Sequence, residues 1–93
     1  MTSRITQVEG LSSGTKTLRV EGSLRLADAE LLEAAYRELR EAHQGSIAID
    51  LAGTSFLDSD SASILCRLKD SGVELIGLHF FIQRLIEAAE NAQ

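Results

Sequence analysis

The sequence predicts a small α/β domain in which a mixed, mainly parallel β-sheet has helices packed on it. Three observations favour this class. The chain has 93 residues, the size of one domain; apolar and polar residues alternate near its start; and strand-like and helix-like patterns then follow one another. Strands that alternate with helices are joined by right-handed crossovers in a parallel sheet. Residues 1–93 are therefore expected to form a single domain.

The chain begins with two predicted strands. Residues 4–9 alternate apolar and polar side chains, and residues 15–20 do the same, which is typical of half-buried strands. Residues 12–14 (Ser-Ser-Gly) between them supply a turn, so the two strands should form a hairpin. Gly22 is expected to end the second strand.

A helix is predicted next because apolar residues recur at helical spacing after Asp28, whose carboxylate suits an N-cap or a first helical turn. Charged residues fill the other side and include Glu33 and Arg37 at i, i+4. Gly45 is expected to end the helix. The predicted buried side consists of Leu31, Leu32, Ala35, Leu39 and Ala42.

A central strand and a second helix follow. Residues 46–51 form a short apolar, β-branched run, which is typical of a strand covered on both faces, and residues 53–55 predict a turn. Residues 57–61 are dense in capping side chains and precede an apolar helix that stops at residues 71–72. The apolar side of this helix consists of Ala62, Ile64, Leu65, Cys66 and Leu68.

The last two predicted elements are a strand over residues 73–78 and an amphipathic helix over residues 80–90. The complete order is β-β-α-β-α-β-α. Of Phe80 and Phe81, one is expected to be core and the other partly exposed; the alternative is that their side of the domain is open and forms a partner surface. The apolar stripe of the last helix consists of Ile82, Leu85, Ile86 and Ala89.

The composition argues against several classes of partner. The 14 acidic residues exceed the 9 Lys and Arg residues, for a net charge of −5, so we expect no nucleic-acid partner. The single cysteine cannot form an internal disulfide, which is typical of a reducing, cytoplasmic location. No stretch approaches the roughly 18 apolar residues of a spanning helix, so we expect no membrane insertion.

The sequence contains no recognisable catalytic, cofactor or metal motif. Glycines occur singly, which excludes the common phosphate-binding loops. His43 and His79 lack metal-ligand spacing, and Cys66 lies on an apolar stripe, where cysteine behaves as a small hydrophobe. We therefore expect no catalytic residue, no metal and no cofactor, and a protein that is not an enzyme.

The segment over residues 56–63 is more polar than helix capping requires. Capping by Ser and Asp explains two of its residues, and capping alone remains one interpretation of the segment. A helix N-terminus is also a good place to hold or hide a phosphate, which favours the alternative of a functional surface. The predicted partner-binding site consists of Asp58, Ser59, Asp60, Ser61 and Ser63.

Three segments, in order, resemble motifs of the STAS domain family, which includes anti-sigma factor antagonists and the cytoplasmic tails of sulfate transporters. Residues 22–25 resemble the family's Gly-x-Leu-Asp corner, and residues 47–51 resemble its central strand ending in Asp-Leu. Residues 56–61 resemble its switch, in which Phe and an aliphatic residue precede Asp-Ser, then Ser or Thr, then Gly.

The resemblance implies a non-enzymatic cytoplasmic regulator in a bacterial partner-switching pathway. In anti-sigma factor antagonists, a serine kinase that also sequesters a sigma factor docks on the switch helix. Phosphorylation of the switch then breaks the complex, because a phosphate adds about −1.5 to −2 units of charge to the binding face.

The sequence departs from the family at this switch. Asp60 falls on the phosphorylatable Ser or Thr, and Ser61 replaces the following Gly. An aspartate cannot be phosphorylated by such a kinase and carries a permanent charge of about −1, roughly half that of a phosphate. Either the domain is fixed in one binding state, or the switch has moved to Ser59, Ser61 or Ser63, with Ser59 and Ser61 as the candidate phosphorylation sites.

A second hypothesis assigns the chain to another class of function. A small STAS subunit could dock on the ATPase of a membrane lipid or anion ABC transporter and stabilise the assembly. A switch that cannot be phosphorylated fits such a permanent association. The two hypotheses predict different partners, an anti-sigma factor kinase and a transporter ATPase.

Overall fold

The computed structural model describes residues 4–9 and 14–91. Its order of elements confirms the predicted β-β-α-β-α-β-α arrangement. The elements are β1 (Arg4–Glu9), β2 (Thr15–Leu24), α1 (Leu26–Ala42), β3 (Ser46–Leu57), α2 (Ser59–Asp70), β4 (Glu74–Ile76) and α3 (Phe80–Asn91). The predicted turn over residues 12–14 falls largely outside the described residues.

The strands form one four-stranded sheet in the order β1-β2-β3-β4. β1 is antiparallel to β2, whereas β2 pairs with β3 and β3 with β4 in parallel, so the predicted fold class is confirmed. Both crossovers proceed in the same direction across the sheet, and right-handed crossovers in one direction place their helices on one face. α2 accordingly packs against α1 on one side and α3 on the other.

The core lies between this helical layer and one face of the sheet. Leu18 and Val20 of β2 and Ile49 and Leu51 of β3 are buried there at alternate positions. Apolar burial of this kind stabilises the fold by about 25 cal/mol per Å².

The other face of the sheet is more open, so the prediction that the central strand over residues 46–51 is covered on both faces holds only in part. On this face of β3, Ala48 is buried, Asp50 is half-buried and Ala52 is exposed. The Asp50 carboxylate lies 3.6 Å from the Arg19 guanidinium on β2. The physical reason is that both crossover helices lie on the same side.

Three strand boundaries differ from the predicted ones. β2 continues through Gly22, and β3 continues through residues 53–55, because the two strands stay paired after register shifts on either side of Gly22. Gly22 has a φ of 91°, a conformation that glycine adopts without strain and that suits a β-bulge. β4 stops at Ile76, and Gly77 turns the chain away with a φ of 70°.

α1 begins at Leu26 with Arg25 as its N-cap, so of the two positions predicted for Asp28, the first helical turn is confirmed and the N-cap is not. Asp28 is a first-turn acid, and its Oδ2 accepts a hydrogen bond from the Arg25 backbone N–H at 3.2 Å. The helix ends at Ala42, ahead of Gly45.

The buried side of α1 is rotated relative to the predicted one. Leu32 and Leu39 are buried as predicted, together with Ala29. Leu31 is 64 % exposed and Ala42 is exposed, so the inclusion of these two residues was wrong. α1 packs against β2 and α2, and this tertiary packing decides which side of the helix is buried.

The apolar sides of α2 and α3 are confirmed. All five predicted α2 residues are buried, as are Ile82 and Ile86 of α3, whereas Leu85 and Ala89 are partly buried. Phe80 is 76 % exposed, and the Phe81 side chain lies outside the described part of the chain. No helix among the described residues has both the length and the apolarity needed to cross a membrane.

Candidate functional site at the start of helix α2

Asp58 lies between the end of β3 and the start of α2. Its backbone is extended, with φ −88° and ψ 169°, and its Oδ1 accepts a hydrogen bond from the Ser61 backbone N–H at 2.8 Å. This is the geometry of a helix N-cap. The capping interpretation of the sequence is therefore confirmed for Asp58.

The same carboxylate also caps a second helix. Asp58 Oδ2 accepts a hydrogen bond from the Leu26 backbone N–H, at the start of α1, at 3.3 Å. The Asp58 backbone N–H donates to the Leu24 carbonyl at 3.4 Å. Asp58 thus joins the first turns of α1 and α2.

These contacts change the acidity of Asp58. Burial acts to raise its pKa, but contacts with the Ser61 side chain, the backbone N–H groups of Ser61 and Leu26 and the Arg25 charge act in the other direction. The net pKa of Asp58 lies below the ordinary value of 3.8, because backbone donors at helix N-termini favour the carboxylate. Asp58 is therefore charged at neutral pH and engaged in holding the fold.

The other predicted site residues divide into two groups. Ser59, Asp60 and Ser63 are exposed, and the Ser63 hydroxyl donates to the Ser59 carbonyl at 3.3 Å. Ser61 is 0 % exposed, and its Oγ has no partner with hydrogen-bond geometry among the described residues. The structure therefore presents Ser59, Asp60 and Ser63 to solvent and encloses the Ser61 hydroxyl.

Three residues next to this surface were not predicted as part of the site. The Arg25 guanidinium lies 4.8 Å from the centroid of the Phe56 ring, a distance typical of a cation–π contact. Phe56 is 40 % and Leu26 is 41 % exposed. The motif at residues 22–25 pointed to this corner, but the contact with Phe56 depends on the parallel pairing of β2 and β3.

The residues best suited to reactive chemistry, two histidines and one cysteine, either bond to backbone carbonyls or are buried in the core. Nε2 of His43 lies 2.9 Å from the Gly14 carbonyl, and Nε2 of His79 lies 2.6 Å from the Ala52 carbonyl. Since a carbonyl only accepts, each imidazole donates. Cys66 is buried, and this burial raises the pKa of its thiol. Among residues 4–9 and 14–91, no three His, Cys, Asp or Glu side chains are grouped to hold a metal ion.

The family is established by comparison with known proteins. The model of a family described as "Mlab, STAS domain" matches residues 8–91, which is most of the chain. The chain therefore belongs to the STAS domain family, and the predicted resemblance is confirmed.

Solved structures agree with this assignment. An antisigma-factor antagonist STAS domain from Rhodobacter sphaeroides is 26 % identical, with a TM-score of 0.60 over 81 % of this chain and 86 % of that chain. The anti-sigma factor antagonist SpoIIAA in its unphosphorylated form is 17 % identical, with a TM-score of 0.63 over 90 % of this chain and 82 % of that chain; this second likeness concerns the fold alone. No curated protein sequence matches the chain.

Proposed function

We propose that this chain is a non-enzymatic protein-binding regulator of the anti-sigma factor antagonist type, which acts in the cytoplasm in a partner-switching pathway. Its partner is an anti-sigma factor with serine kinase activity. The observation that carries the proposal is the exposure of Ser59, Asp60 and Ser63 in the first turns of α2. Capping by Asp58 leaves these side chains available to a visiting protein.

Asp60 gives this surface a fixed charge. It lies in the first turn of α2, where a negative charge is stabilised by the unpaired N–H groups of the helix. A phosphatase cannot remove this charge, so the surface presents a charge of about −1 at Asp60 to the partner in every state of the pathway.

Ser59 is the better of the two candidate phosphorylation sites. It is the first residue of α2 and is exposed, whereas Ser61 is enclosed. A phosphate on Ser59 would add about −1.5 to −2 units of charge directly beside Asp60. The bulky, strongly hydrated phosphate would hinder close packing of the partner on this face, and the two adjacent negative groups would repel acidic side chains of the partner, which supplies a release step.

The test uses the anti-sigma factor kinase encoded in the source genome. Isothermal titration calorimetry should show binding to the wild type, and mass spectrometry after incubation with ATP should show one phosphate, which Ser59→Ala abolishes. Asp60→Ser should alter the affinity, whereas Asp70→Ser, an exposed acid at the other end of α2, should leave it unchanged. Absence of both binding and phosphorylation in the wild type and in Asp60→Ser would exclude this role.

A second candidate is a STAS subunit that docks on the ATPase of a lipid or anion ABC transporter. Asp60 at the family's switch position, together with the enclosed Ser61 hydroxyl, favours a permanent association. In that case, co-expression with the ATPase should give a stable complex that neither ATP nor a serine kinase dissociates. Binding to the kinase alone would support the first candidate, and binding to the ATPase alone would support the second.

A further inference from the structure

Most of the large apolar side chains that reach solvent lie beside a helix start. Five such residues are exposed in the described part of the chain: Leu26, Leu31, Phe56, Ile76 and Phe80. Leu26 begins α1, Phe56 lies three residues before α2, and Phe80 begins α3. Of these, Phe80 is the most exposed, at 76 %.

Two contacts fix how α3 lies beside α2. The Cys66 thiol donates to the Ile86 carbonyl at 3.4 Å, and the Lys69 ammonium lies 3.2 Å from the Glu90 carboxylate. The sequence separations are 20 and 21 residues, so the two helices run in the same direction with an almost constant offset. The same offset places Phe80 level with Ser59 and Asp60.

α1 lies on the other side of α2 in a similar alignment. The Leu26 N–H donates a hydrogen bond to Asp58 at a sequence separation of 32 residues, and Arg67 contacts Glu33 at a separation of 34 residues. Leu26 and Phe80 therefore flank the first turn of α2. Packed helices lie about 8–10 Å apart, so these two residues span roughly 20 Å, which a standard interface patch of about 800 Å² per partner covers.

The charges on this end of the molecule indicate what covers it. Asp60 lies at its centre, the Arg25 guanidinium stacks on Phe56, and the Arg84 guanidinium lies 5.5 Å from the Phe80 ring centroid. A second copy of this chain, itself with a net charge of −5, would bring another Asp60 toward the same centre. Like charges at the centre of an interface oppose association, so self-association is disfavoured.

We propose that one heterologous protein partner covers the starts of all three helices, with Phe80 as its apolar anchor. We call Leu26, Phe56, Asp60 and Phe80 the helix-start surface. The partner presents a basic side chain to Asp60, apolar side chains to Leu26 and Phe80, and acidic side chains to Arg25 and Arg84. The inference rests on the proposed function and extends its site from α2 to α1 and α3.

The experiment compares two exposed apolar residues. Phe80→Ala and Leu31→Ala each remove a side chain that is mostly in solvent, 76 % and 64 % exposed, but only Phe80 belongs to the helix-start surface. Titration with the anti-sigma factor kinase, and in parallel with the transporter ATPase, should show affinity reduced about tenfold or more by Phe80→Ala and changed by less than about twofold by Leu31→Ala. Thermal melts of both variants should match the wild type.

The outcomes separate the two proposals. Wild-type binding with equal effects of Phe80→Ala and Leu31→Ala would overturn the helix-start surface and leave the proposed function intact. No wild-type binding to either partner would overturn both. A wild-type dimer in light scattering that Phe80→Ala dissolves would show that a second copy occupies the surface, against this inference.

Discussion

The Asp58 carboxylate accepts the backbone N–H of Leu26, 32 residues earlier in the chain, at 3.3 Å. Because its other oxygen caps α2, one side chain satisfies donors at two helix starts. This contact locks the corner after β2 to the corner after β3. Asp58 is therefore a structural residue next to the helix-start surface. Asp60, which belongs to that surface, is exposed and available to a partner.

Asp58→Ala should therefore destabilise the protein by more than a single cap does. Loss of one N-cap costs about 1 kcal/mol, and loss of both contacts should cost about 2 kcal/mol in the free energy of unfolding. Urea unfolding followed by circular dichroism measures this value. Asp60→Ala is the matched control and should cost no more than about 0.5 kcal/mol. A loss of only about 1 kcal/mol for Asp58→Ala, the value for one cap, would show that the contact with Leu26 contributes nothing.

The lowered pKa of Asp58 predicts a dependence of stability on pH. The folded-state pKa is below the unfolded value near 3.8, so the unfolded state binds the proton more tightly. The stabilisation from the carboxylate is present above the unfolded pKa and is lost as pH falls through the folded pKa.

This effect can be isolated with Asp58→Asn, which keeps a capping side chain and removes the charge. The stability difference between wild type and this variant should be constant near neutral pH and shrink as the pH is lowered below about 4. Urea titrations at a series of pH values test it. A difference that persists undiminished at the most acidic pH would contradict the assignment to the Asp58 charge.

The core variants should lose far more stability than the exposed one. Leu65 and Ile49 are 0 % exposed, so Leu65→Ala and Ile49→Ala should each cost about 2–5 kcal/mol through the cavity they open. Leu31→Ala should change the free energy of unfolding by no more than about 0.5 kcal/mol. If Leu31→Ala lowered the free energy of unfolding as much as Leu65→Ala does, the Leu31 side chain would have to be packed against other residues of the protein in solution.

A negative charge should be tolerated at Ser59 and not at Ser61. Ser59→Asp places the charge on an exposed first helical residue, where the helix dipole stabilises it by about 0.3–1 kcal/mol. Ser61→Asp introduces it at a position with 0 % exposure and should destabilise the protein by several kcal/mol unless the group is protonated. Thermal melts distinguish the two, and a stable Ser61→Asp protein would restore Ser61 as a phosphorylation site.

Sequence alone predicted much of the fold and the start of the helix that carries the candidate site. Alternating and helical patterns are local properties of the chain, so the order of elements, the hairpin strands and the apolar sides of α2 and α3 could be inferred from them. The cluster of capping residues likewise located the start of α2. These predictions succeeded because each depends on residues close together in the chain.

Tertiary packing decided the rest. The exposure of Leu31, the extension of β2 through Gly22 and the enclosure of Ser61 depend on which neighbours each element meets. The bond between Asp58 and Leu26 and the alignment of Phe80 with the first turn of α2 join residues far apart in sequence. Local patterns carry no information on such contacts, because the sheet register and the helix offsets that create them form only when the whole core closes.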